Sequence, residues 1–61
     1  MFSVYFYVGI DLIASGTMQY LPRQGEKVKV NGKLYKVIDV VYLIEQRTSY
    51  TTEVVIRLEK F

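Results

Sequence analysis

Residues 37–45, VIDVVYLIE, limit what this chain can fold into more than any other stretch. Seven of the first eight are apolar or aromatic. The even positions Ile38, Val40, Tyr42 and Ile44 are uniformly apolar, and the odd positions Val37, Val41 and Leu43 are apolar too, interrupted only by Asp39. Side chains of a strand alternate between two faces, so a strand of this composition needs cover on both. A chain of 61 residues has little cover to offer, since a domain of that size buries only about 60% of the surface its unfolded form exposes. The usual aids to a small core are missing: there is no cysteine for a disulfide or a thiolate metal site, and no histidine, the commonest zinc ligand. Association with another chain remains. One face of the run is expected on the protein's own core and the other against a strand of the N-terminal segment or an identical chain, which makes a homodimer the expected assembly. Ile38, Val40, Tyr42 and Ile44 are the first candidates for its seam. A hydrophobic fraction of 51% and a mean hydropathy of +0.15 are high for so small a domain and point the same way.

The opening MFSVYFYVGIDLIAS has no basic leader and meets Asp11 well short of the ~20 apolar residues of a spanning helix. It therefore reads as a strand of a cytoplasmic protein with no membrane partner. Phe2, Val4, Phe6, Val8, Ile10 and Leu12 alternate with Ser3, Tyr5, Tyr7, Gly9 and Asp11, the two-residue period of a sheet with one buried face, and Gly9 marks a bulge or sharp bend within it. Ser15-Gly16-Thr17 breaks the pattern. A short strand is expected near Met18 to Leu21, a turn over Pro22 to Gly25, and a new strand from Glu26. Asn31-Gly32 between two alternating runs is a strong hairpin signal. It places Val28, Val30, Tyr35 and Val37 on one face and Lys27, Lys29 and Lys36 on the other. After a turn around Glu45 to Tyr50, Val54, Ile56 and Leu58 alternate with Glu53, Arg57 and Glu59 in a half-exposed last strand. The expected fold is a single all-β domain over residues 1–61. Its four or five antiparallel strands are expected to close into a small SH3-like or OB-like barrel or a strongly bent sheet.

Leu21-Pro22-Arg23, Gly25-Glu26, Val28, Val30, Gly32, Tyr35, Val37 and Val40 resemble the LPR-x-GE-x-V-x-V-x-G-x-x-Y-x-V-x-x-V signature of short phage-encoded and bacterial proteins built as small β-barrels. The match covers the middle third of the chain and consists of turn and core residues, so it implies a fold and no catalytic residue. The size, the strand-rich build and the lack of reactive groups also resemble phage proteins that inhibit host or immune enzymes by occupying a surface.

The chemical inventory points away from catalysis. Serines are scattered and the six carboxylates form no recognisable pair. Asp11 and Asp39, the acids inside apolar runs, read as solvated edge or bulge residues. The isolated glycines make no phosphate loop, and no cofactor or metal is expected. Binding remains. Six tyrosines suit a protein-docking surface, because tyrosine combines large contact area with a polar tip. Tyr5 and Tyr7, adjacent on one face, and the exposed turn Arg23-Gln24 are the candidate contacts for the dimer or for a host or immune protein. The alternative is nucleic acid. Five of the eight basic residues fall within fourteen positions, and Lys27, Lys29, Lys33 and Lys36 would form the contact face. A net charge of only +2 weighs against it.

Overall fold

A computed structural model, describing residues 1–43 and 52–61, arranges five strands in one strongly curled, half-barrel sheet. They are β1 (Phe2–Val8), β2 (Asp11–Met18), β3 (Lys27–Val30), β4 (Lys33–Leu43) and β5 (Thr52–Lys60). Their order across the sheet is β2-β1-β5-β4-β3. Among the described residues there is no helix, hence none long and apolar enough to cross a membrane. Ile44 and the turn expected around 45–50 lie outside the described residues.

The alternation in β1 and β5 does what its period dictates. Val4, Val54, Ile56 and Leu58 point into the concave side and are buried with Tyr35 and Val37; Phe2, Phe6, Val8, Met18, Val28 and Val40 pack around them. Each fully buried aliphatic side chain contributes about 1.5–3 kcal/mol. β5 runs through the middle of this core with β1 on one flank and β4 on the other. The sequence pattern implied a half-exposed strand, and the outer row Glu53, Arg57 and Glu59 is indeed exposed.

The Asn31-Gly32 hairpin forms as expected. Val30 pairs with Lys33 and Val28 with Tyr35, so the loop holds two residues, and both have positive φ (51° and 82°), the type I′ geometry.

Four features depart from the sequence reading. Gly9 (φ 62°) does not bend one long strand; with Ile10 it forms a two-residue turn, because Val8 pairs with Asp11 and the chain folds back as β2. Ile10 is consequently 95% exposed and Leu12 51%, rather than buried. Ser15-Gly16-Thr17 lies inside β2, an edge strand paired only with β1, where small residues suffice. No strand spans Met18 to Leu21. β2 ends at Met18, and residues 19–26 cross to the far edge of the sheet. Finally, β1 and β5 pair in parallel, whereas every other neighbouring pair is antiparallel. Placing β1 between β2 and β5 buries its apolar row on the shared core.

The 37–45 run resolves through a bulge. Val37 pairs with Leu58 and Asp39 with Arg57, leaving Ile38 as an extra residue. A bulge shifts the facing of everything after it by one position. Tyr35 and Val37 face inward before it, and Val40 and Tyr42 after it, while Val41 and Leu43 share the convex side with Val55 and Tyr5. Nothing in the described chain covers that outer side: Val41 is 38% and Leu43 44% exposed.

Candidate functional site

The crossing segment packs Leu21 against the core and is hydrogen-bonded to the sheet at Val37. Gly25 N–H donates to the Val37 carbonyl at 2.8 Å, and Val37 N–H donates to the Glu26 carbonyl at 2.8 Å. Gly25 and Glu26 thus both oppose Val37, with Gly25 at φ 90°, the arrangement of a glycine-led bulge. Glu26 N–H also donates to the Arg23 carbonyl at 3.1 Å, which closes a turn over Arg23 to Glu26 with glycine at the third position, where type II geometry needs positive φ. The Glu26 side chain reaches back, its Oε1 accepting Arg23 N–H at 2.5 Å. The turn therefore sits one residue later than the Pro22 to Gly25 expected from sequence, because Gly25 serves the turn and the bulge together.

Held in this way, residues 19–24 stand away from β4 and enclose an open cleft of about 440 Å³. Phe2, Val40 and Tyr42 form its sheet wall, Tyr20 and Leu21 its loop wall, and Arg23, Gln24 and Asp39 supply polar groups. The rings of Phe2 and Tyr42 meet edge to face, 6.3 Å between centroids and 69° between planes. Such contact holds Tyr42 in place although half its surface is exposed. Tyr20 is 79% exposed. Asp39 Oδ1 accepts Val40 N–H at 3.0 Å.

Arg23, Gln24, Val40 and Tyr42, singled out by separate arguments, thus line one cleft. Ile38 is half-buried in the bulge, away from that lining. Tyr5 and Tyr7 are half-buried on the convex face, opposite Val55 and Arg57. The cleft residues missed from sequence include Phe2, read as core, Tyr20 and Leu21, read as strand, and Asp39, read as a solvated edge or bulge residue in preference to a ligand contact. Their meeting depends on the crossing of residues 19–26, for which the sequence offered only Pro22 and Gly25 as signals.

The lysines separate. Lys27, Lys29 and Lys36 share the convex face, as parity required, but Lys33 falls on the opposite parity and lines a smaller hollow of about 220 Å³ with Tyr35, Lys60 and Phe61. Lys27 Nζ lies 5.3 Å from the centre of the Phe61 ring. Lys36 stands between Glu59 and Lys27, and Arg57 opposite Asp39, so the outer face carries opposite-charge pairs beside a like-charged one. Tyr35 is buried and has no ring face to offer a base. Comparison of the chain with protein-family models, with curated proteins and with solved structures returned no match.

Proposed function

We propose that this chain is a non-enzymatic protein-binding module. On this reading it docks on its partner through the cleft between the 19–24 loop and β4, in the manner of the phage inhibitors that its size, strand-rich build and lack of reactive groups resemble. Its partner is a host or immune protein and its place of action the cytoplasm. The construction of the cleft carries the reading. Tyr20, Phe2 and Tyr42 present aromatic surface, and Arg23, Gln24 and Asp39 surround it with polar groups. That is the anatomy of a protein-binding hot spot, aromatic anchors within a polar rim on a rigid sheet. Lack of cysteine and histidine supports a function without catalysis, as does the exposure of Asp11 and Asp39.

The nucleic-acid reading has less support. On the convex face Lys27 stands opposite Lys36, but Lys36 and Arg57 also stand opposite Glu59 and Asp39, and this partial neutralisation weakens the field available to hold a phosphate backbone. Affinity capture from host lysate, with and without nuclease, tests the choice. The expected result is a nuclease-resistant protein whose recovery falls about tenfold or more with Tyr20→Ala or Arg23→Ala and is unchanged with Lys29→Ala. Recovery that survives both cleft variants, or that vanishes with nuclease, overturns the reading.

A further inference from the structure

We propose that the open edge of β4 pairs with the same edge of a second copy, antiparallel, about a two-fold axis through Val41. The inference goes beyond the docking reading: it concerns the backbone edge of β4 beside the cleft, and the partner it names there is a second copy of the chain.

The backbone carries the argument. β3 covers β4 only from Lys33 to Lys36, and Gly25 and Glu26 cover Val37. Beyond that point β4 has no strand on this side among the described residues. Alternate residues of an antiparallel strand bond to alternate sides. Val37 gives both its groups to the β3 side. The Ile38 bulge delays the alternation by one residue, so Asp39, Val41 and Leu43 bond toward β5, and Val40 and Tyr42 aim their amides and carbonyls at the open side. The contact from Val40 N–H to the Asp39 carboxylate fits this assignment, since the amide is capped by a neighbouring side chain and not by β5. The Val40 carbonyl and both backbone groups of Tyr42 have no partner among the described residues. An uncovered edge of this kind is a template for another strand.

A second copy fits that template in register. With Val41 opposite its own counterpart, each Val40 faces a Tyr42, both outward-bonding, and four backbone hydrogen bonds form across the axis. Centring on Val40 instead brings in Ile38, whose groups face β5. On the concave side each Tyr42 ring lies beside a Val40 of the other copy, a favourable aromatic and β-branched pair. On the convex side the two Val41 side chains meet, and the half-exposed Leu43 gains a neighbour in the other copy's Asp39, which must release Val40 N–H. Asp39 thus acts as a guard on the edge.

Three measurements test the pairing. Sedimentation equilibrium of the full chain at high micromolar concentration is expected to give twice the 7.1 kDa chain mass. Asp39→Ala, which removes the guard, is expected to tighten dimerisation roughly tenfold. The sequence has no cysteine, so single cysteines read the register. Val41→Cys is expected to cross-link on oxidation, because its two copies face each other within disulfide reach, while Tyr42→Cys and Leu43→Cys cross-link poorly. A chain synthesised with an N-methyl group on Tyr42 blocks the edge, spares the β4–β5 ladder, and is expected to be a folded monomer by circular dichroism. A monomeric wild type, or cross-linking that favours Tyr42→Cys or Leu43→Cys, overturns the pairing. If the wild type is monomeric while capture still depends on Tyr20 and Arg23, only the self-pairing fails. If capture also ignores those residues, the docking site fails with it.

Discussion

Gly25 does two jobs with one dihedral angle. Its φ of 90° makes it the third residue of the Arg23 to Glu26 turn and the first of the bulge opposite Val37. No atom lies within 4 Å of where a Cβ would be, so a side chain there meets no steric obstacle and any penalty is a backbone penalty. Gly25→Ala is therefore expected to destabilise the fold by about 1–2 kcal/mol, read as a lower urea midpoint with an unchanged slope. It is also expected to weaken partner capture, because the loop wall of the cleft hangs from this point. A Gly25→Ala chain with wild-type stability would mean that the turn re-forms without positive φ. The requirement was half legible in the sequence. Pro22 and Gly25 announced a turn, but two backbone patterns share that glycine, and sequence spacing cannot show that Val37, in a later strand, supplies the carbonyl.

Faces were readable wherever polar residues mark the other side. β1, β5 and the Asn31-Gly32 hairpin took the parity that their alternation dictates, because a slip of one residue would send every apolar side chain to solvent. Where both parities are apolar the pattern is silent, and that is why β4 kept its bulge hidden. Ile38 looks like its neighbours, yet it is the residue that has no opposite number in β5. The turn at Gly9-Ile10 hid for a related reason, since isoleucine at a turn reads as one more strand residue. Val40 and Tyr42 were identified from β4 alone, Arg23 and Gln24 from their loop alone, and only the curl of the sheet brings them to one cleft. The bulge makes a prediction that a regular strand would not. Deleting Ile38 restores regular alternation, with Val37 inward, Asp39 outward and Val40 inward, so the register with β5 survives. The deletion is expected to cost about 0.5–3 kcal/mol, in the range of an ordinary substitution. Deleting Val40 turns Val41 inward and Tyr42 outward and separates the Phe2–Tyr42 ring pair, so it is expected to abolish the cooperative transition. Equal effects of the two deletions in urea titrations would show that Ile38 is no bulge.

At the scale of the whole molecule the open question is how a small core holds a five-stranded sheet. Among the described residues six side chains are buried, all of them apolar or aromatic, at the meeting of β1, β4 and β5. The stability typical of a chain this long is about 3–9 kcal/mol, so the loss of one large buried side chain, at about 2–5 kcal/mol for Ile56→Ala, consumes much of it. The outer row of Val41 and Leu43 and the open half of β4 are surfaces that water weakens and a second copy would strengthen. Dimerisation couples this to mass action. If folding and pairing are linked, tenfold dilution lowers the stability of the dimer by about 1.4 kcal/mol, and the thermal midpoint is expected to fall by a few degrees with each decade of dilution. The N-methyl-Tyr42 chain, unable to pair, is expected to melt lower and at a midpoint independent of concentration. A wild-type midpoint that stays flat across the same dilutions would mean that the six-residue core supports the sheet unaided. The apolar character of residues 37–45 would then need a different cover.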